Sequence, residues 1–172
     1  MGFKKTSETI AISFGLTTSA PLTLTEDEVA LQLDVLNNEI FVVLAVDLDM
    51  AAPDAIAATD TSVSASITST ALPIGSTAVA TLEDSNTIAV AEKAIRAAGY
   101  VDGGVGFTRQ ANESYTGDID YIALIATNNF FVQVDSSGNP GNKSVRGRMW
   151  GYRAKADSST YAALVQSEVL SA

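Results

Sequence analysis

The chain has no cysteine and no histidine among its 172 residues. The lack of cysteine excludes a disulfide framework, a thiolate nucleophile and the cysteine ligands of a zinc site. The lack of histidine removes the commonest general base and metal ligand, so a catalytic triad built on histidine is excluded too. We therefore expect no enzymatic activity, no catalytic residue, no cofactor and no bound metal.

Charged residues are scarce, at 17% of the chain, and the basic ones are placed unevenly. No Lys or Arg lies between Lys5 and Lys93, a stretch that holds 13 of the 20 Asp and Glu. The formal net charge is −10, and an acidic surface repels phosphate, so we expect no direct contact with nucleic acid. Low charge with many Ala, Thr and Ser suits a surface that faces protein neighbours, although any small-residue-rich β protein would share it.

Long hydrophobic runs are lacking as well. The longest wholly apolar run, Ile40 to Val46, is far too short to span a bilayer, so we expect no membrane span. The first ten residues, MGFKKTSETI, contain no apolar core of a secretion signal, so we expect no signal peptide.

The most strongly patterned stretch runs from Glu28 to Met50 and predicts a central hairpin. Its two apolar arms flank Asn37-Asn38, and Asn tolerates the positive φ of a tight turn better than other residues with a side chain. The stretch from Asp118 to Val134 has the same form around Asn128-Asn129 and predicts a second hairpin.

Further strands are predicted where apolar and polar residues alternate, at 8–18, 61–72 and 143–155. One helix is predicted at about 86–98, because Ile88, Ala91, Ile95 and Ala98 recur at helical spacing after a possible cap at Ser85 or Asn86. The stretch from Ser158 to Leu170 is ambiguous, since Tyr161, Leu164, Val165 and Val169 would line a helical face but a strand is also compatible.

These elements predict a mainly β fold, an antiparallel β-sandwich or barrel of jelly-roll-like form with one short flanking α-helix at about 86–98. No linker divides the chain, so we expect a single β-rich domain over residues 1–172. We also expect extended N- and C-terminal segments that contact neighbours.

Four residues near the C-terminus form the candidate interface. Arg146, Arg148, Trp150 and Tyr152 alternate along a predicted strand and would share one face. Arg with aromatic residues suits a protein interface, carbohydrate or nucleic acid. Because the first half of the chain is acidic, we expect this strip to meet acidic surface, either within the fold or on a neighbouring subunit.

Carboxylates offer the remaining chemistry. The pairs Asp47/Asp49 and Asp118/Asp120 would each share a strand face and could hold calcium or act as acid and base, but solvated strand ends look the same.

The run Asp135, Ser137, Asn139 begins like a calcium loop. It then departs from that pattern, because Pro140 stands where Gly is needed and Arg146 where the bidentate Glu belongs.

The chain resembles small acidic structural proteins of phage and marine virus particles. The resemblance lies in its composition and in the stretch Ser144 to Leu170, SVRGRMWGYRAKADSSTYAALVQSEVL. It implies a virion structural protein, a capsid coat or a decoration (cement) subunit, made in the host cytoplasm and located in the virion. The implied partners are copies of itself in a large homo-oligomer and other virion proteins.

Three alternatives stay open. A phage tail-tube subunit also pairs a β-barrel with a helix. A β-sandwich carbohydrate-binding module would act through Trp150 and Tyr152. A carboxylate-only hydrolase would use Asp47, Asp49, Asp118 or Asp120.

Overall fold

The computed structural model describes residues 2–102, 104–110 and 119–171. Within these, the strands are β1 Phe3–Lys5, β2 Ile10–Thr17, β3 Leu24–Ala30, β4 Glu39–Met50, β5 Thr61–Thr68, β6 Thr87–Arg96, β7 Val105–Gln110, β8 Ala123–Ile125, β9 Asn129–Ser137 and β10 Ser144–Ala156. A 3₁₀ turn at Val35–Asn37 precedes β4, and the helix α1 spans Ser158–Ser171.

The strands form two antiparallel sheets. In the front sheet β2 and β1 pair with one edge of β10, which is followed by β4 and β8. In the back sheet the order is β3, β9, β5, β6, β7. The orders β2-β10-β4-β8 and β3-β9-β5-β6 are those of two interlocked Greek keys, which is the jelly roll. The predicted mainly β sandwich is therefore confirmed.

The core lies between the two sheets. Phe14 of the front sheet and Phe130 of the back sheet meet edge to face at 5.6 Å between ring centroids. Around them pack fully buried aliphatic side chains from both sheets, among them Val43, Met149, Val63, Ile67, Val132 and Val134. Burial of this apolar surface is the main force that holds the sheets together.

The helix lies against the outer face of the front sheet. Asp157 caps it, since the backbone N–H of Thr160 donates to the Asp157 carboxylate at 2.7 Å. A second apolar cluster forms beneath it, in which Tyr161, Leu164 and Val165 pack on residues that include Ile40 and Val42 of β4. The ambiguous stretch at 158–170 is thus a helix. Val169, expected in its apolar face, is exposed, and Glu168 is buried instead.

Both hairpin predictions were wrong. The residues flanking Asn37-Asn38 enter different sheets, β3 in the back sheet and β4 in the front sheet, and β8 and β9 are divided in the same way. The turn itself was placed correctly, because Asn38 has φ 56° and closes the 3₁₀ turn. The chain crosses from sheet to sheet there, since both arms are apolar enough to face a common core.

The predicted helix at 86–98 was also wrong, because Thr87–Arg96 is strand β6. Ala89 and Ala91 lie opposite Ile67 and Ala65 of β5, where alanine fits as well as in a helix. Val90 lies on the outer face beside Ser66 and is buried as well. A strand buried on both faces loses its alternation, so its apolar residues recur at helical spacing by coincidence.

The connection 69–86 is fixed to the outer face of the back sheet by a polar network. Gln133 donates to Glu26 at 2.7 Å and accepts from Ser66 at 2.6 Å. The backbone N–H groups of Leu72 and Ala80 donate to Glu26 at 2.9 Å and to Ser66 at 3.1 Å. These bonds satisfy the buried amide of Gln133, whose side chain would otherwise be costly to desolvate.

Candidate interaction surface

The outer face of the front sheet has a covered half and an open half. The helix α1 covers the half nearest the end of β10. In the open half lies a shallow hollow of about 330 Å³, lined by charged side chains and Trp150. The open half is defined by Asp47 and Asp49 of β4 and by Arg146, Arg148 and Trp150 of β10.

The open half carries two facing columns of opposite charge. Arg146 stands opposite Asp49, and Arg148 stands opposite Asp47, in the antiparallel ladder. Within the described part of the chain, none of these four forms an ion pair within 4.0 Å. The charges balance across the strands but stay available to a partner.

Arg148 is partly held by its neighbours. Its Nε donates to Ser13 Oγ of β2 at 3.4 Å, and its guanidinium lies 5.8 Å from the centroid of the Trp150 ring. That distance allows a cation–π attraction of roughly 0.5–1 kcal/mol at an exposed site. Along β2 the outward side of the hollow is bordered by small residues, Ala11, Ser13 and Gly15, all exposed. A partner surface can therefore approach the sheet closely along β2.

Tyr152 lies on the same sheet face but in a different environment. It packs in the cluster beneath α1, and the ammonium group of Lys5 lies 4.9 Å from its ring centroid. The predicted strip is therefore split, with three residues in the open half and Tyr152 under the helix. A ligand on Trp150 would not lie against an open Tyr152.

The predicted carboxylate sites do not converge. Asp118 lies outside the described residues, and Asp120 is exposed and does not line the hollow that holds Asp47 and Asp49. In the described ranges, no group of three or more Asp, Glu, His or Cys is arranged to hold a metal ion.

The Asp135 loop has a structural role that the sequence did not reveal. Asn139 is fully buried, and its amide donates to the carbonyls of Ser62 at 2.9 Å and Ser137 at 3.0 Å. Its Oδ1 accepts from the Asp54 N–H at 2.8 Å, so the oxygen expected to bind calcium is already used. Burial also raises the pKa of Asp135, which disfavours the carboxylate that a cation would need.

One apolar surface was missed from the sequence. At one end of the sandwich, connections 31–38 and 69–86 leave the sheets, and Glu168 ties the last turn of α1 to the 126–128 turn at the same end. These segments carry exposed large aliphatic side chains, and we call them the apolar rim: Val35, Leu36, Ile74, Leu82, Val169 and Leu170. Ile74 between Pro73 and Gly75 was the available signal, because a turn gives an isoleucine little chance of burial.

No helix within the described residues combines the length and hydrophobicity that crossing a bilayer requires. No protein-family model matches the chain, and no curated protein matches it. Among solved structures, a chain named Desmodium yellow mottle tymovirus is similar over 88% of this chain and 91% of its own, at 16% identity and a TM-score of 0.32. A TM-score this low carries no weight for either fold or function.

Proposed function

We propose that the protein is a non-enzymatic structural subunit of a virus particle, which builds part of the shell by association with copies of itself. Coat and decoration subunits are both compatible with this role. The observation that carries the proposal is the apolar rim, because large aliphatic side chains exposed on several connections at one end of the sandwich favour a protein–protein contact there.

Leu36 is 92% exposed and lies in the turn between β3 and β4, although alanine or serine would serve that turn as well. Ile74 is at least as exposed as Leu36. Val169 and Leu170, in the last turn of the helix, are also exposed. Burying such side chains between subunits gains about 25 cal/mol per Å² of apolar surface.

The strand order supports the same class of function. Jelly rolls of this order are the building blocks of viral capsids, and they also occur in lectins and cupins.

The open half of the front sheet supplies a second contact surface of different character. Its two charge columns would set the orientation of a neighbouring subunit more than they would strengthen its binding, because exposed ion pairs contribute little binding free energy. An apolar rim for affinity and a charged face for geometry are what repeated, symmetric association requires.

The test is the size of the purified protein before and after the rim is made polar. The double variant Leu36→Glu with Ile74→Glu should stay monomeric where the wild type forms a large assembly. The matched control, Leu22→Glu with Val101→Glu, adds the same two charges at exposed aliphatic positions in the β2–β3 and β6–β7 connections, at the opposite end of the sandwich, and should assemble normally. A wild type that stays monomeric at high concentration, or a rim variant that assembles as before, would contradict the proposal.

A second candidate, carbohydrate binding, is favoured by one observation. The hollow beside Trp150 combines a half-exposed indole with two carboxylates and two guanidinium groups that form no ion pair with one another among the described residues. Saturation-transfer NMR with a panel of oligosaccharides tests this function. Contacts that disappear in Trp150→Leu but remain in Tyr152→Leu would support it, and an absence of any transfer would exclude it for that panel.

A further inference from the structure

We propose that α1 is a proton-controlled latch, held shut on the front sheet when the buried carboxyl group of Glu168 is protonated and loosened when it is ionised. The contacts that define the latch lie within one molecule.

The geometry of Glu168 is that of a clasp between the last turn of α1 and the sheet. The residue is only 7% exposed although it lies near the end of a helix. One carboxyl oxygen accepts from the N–H of Ala126 at 3.0 Å, and the other accepts from the N–H of Thr127 at 3.2 Å. These amides lie between β8 and β9, 42 and 41 residues away along the chain.

No cation among the described side chains balances this carboxyl group. Within the described ranges, no Lys or Arg nitrogen lies within 4.0 Å of it. The titratable groups that face it are Tyr161 on α1 and Tyr121 ahead of β8, and the other neighbours are the neutral Ser69, Ser85 and Asn86. Burial raises the pKa of Tyr161, so this phenol stays uncharged over the range in which Glu168 changes its charge.

An opening beside the carboxyl group gives protons a route to it, although Glu168 is only 7% exposed. It measures about 260 Å³ and is lined on one side by the connection 69–86 and on the other by α1. A buried ionised carboxylate without a counter-ion is expensive to keep from water, even with two backbone hydrogen bonds. If the last turn of α1 is released from the sheet, the Glu168 carboxylate reaches solvent through this opening.

The direction of the pH dependence follows from the burial. Desolvation raises the pKa of Glu168 above its usual range, and the hydrogen bonds from Ala126 and Thr127 oppose that shift without cancelling it. A carboxyl with a raised pKa in the docked state contributes docking stability that is complete below its undocked pKa. That stability is lost as the pH rises through the docked pKa. The helix is therefore held tightest in acid.

Hydrogen exchange on the full-length chain tests the latch. We expect exchange of α1 and of the Ala126 and Thr127 amides, corrected for intrinsic rates, to accelerate between pH 4 and pH 8. The opening constant should rise by about tenfold for each unit by which the docked pKa exceeds the undocked one. Glu168→Gln should make the profile flat, and Gln166→Glu, with its carboxyl on the exposed face, should keep the wild-type profile.

A measurement on the unaltered protein covers the case in which Glu168→Gln does not fold. The ¹³C resonance of the Glu168 carboxyl should titrate above the ordinary range for glutamate, with the Ala126 and Thr127 amide shifts following the same midpoint. Corrected exchange that is independent of pH, or a Glu168 midpoint at or below the ordinary value of about 4.3, would overturn the latch.

Discussion

Gly151 of β10 lies against the ring of Phe41 in β4, so that a Cβ at position 151 would stand 2.6 Å from the ring. The same Cβ would also meet the carbonyl oxygen of Val42. Phe41 is fully buried in the core, and only a residue without a side chain lets the two central strands of the front sheet pack around it.

Gly151→Ala should therefore destabilise the protein, by roughly 1–3 kcal/mol, because neither a buried ring nor a backbone carbonyl can give way cheaply. Urea unfolding followed by circular dichroism measures this. Gly106→Ala in β7 is the control, since a Cβ there meets nothing within 4 Å. Equal unfolding midpoints in the two variants would show that the Phe41 contact is not as tight as described.

Asn139 should be intolerant of a negative charge. Asn139→Asp would put a carboxylate beside the carbonyls of Ser62 and Ser137, which now accept hydrogen bonds from the amide. We expect a loss of unfolding free energy of about 1–3 kcal/mol or more at neutral pH, partly recovered in acid as the new carboxyl is protonated. Asn142→Asp, at an exposed position of the same turn, should have little effect at either pH.

Stability should fall in acid through Asp60. Its carboxylate accepts hydrogen bonds from the N–H groups of Ala98 and Ala97, both at 2.9 Å, and these bonds together with Arg96 hold the pKa of Asp60 below its usual range. A depressed pKa means that the stabilisation is present above the unfolded pKa and is lost as the pH falls through the folded one.

Asp60→Asn should therefore lower stability at neutral pH and reduce the acid-dependent loss, as shown by thermal melts from pH 2 to pH 7. Asp84→Asn, at an exposed position, is the matched control, and the variant should lose stability in acid as the wild type does. An Asp60→Asn curve parallel to the wild-type curve would exclude this role. The sign is opposite to that expected for Glu168, so the two variants separate the two groups.

The charge columns of the open half make a separate prediction. Arg146→Glu with Arg148→Glu would add two carboxylates to the face that Asp47 and Asp49 already occupy, so that it would carry four. If this face joins subunits, assembly should be lost while the circular dichroism spectrum stays unchanged. Lys155→Glu, an exposed change on the same strand, should assemble normally. An unchanged oligomer size in the double variant would indicate that the columns serve only the fold.

The parts of the fold that could be predicted are the strands that have one face exposed to solvent. The alternation of apolar and polar residues identified β2, β5 and β10 to within a few residues. One face of each of these strands presents polar or small residues to solvent or to an overlying connection. The same reasoning placed Arg146, Arg148 and Trp150 on one face.

What could not be predicted depended on contacts distant in sequence. The pairing of β4 with β10 instead of β3 depends on which sheet closes the core, and Asn37-Asn38 is equally suited to a hairpin or to a crossing between sheets. Strand β6 was read as a helix because its outer face is covered by a connection whose bonds to Glu26 and Ser66 leave no local signal. The burial of Glu168 was likewise invisible, since its partners lie in the turn between β8 and β9.

The mass of the purified wild-type protein in solution, measured by sedimentation velocity across a hundredfold range of concentration and followed by electron microscopy of the heaviest species, tests self-association most directly. We expect a closed particle or a regular array of many copies, in equilibrium with few free subunits. A single sharp boundary at the monomer mass throughout that range would contradict it.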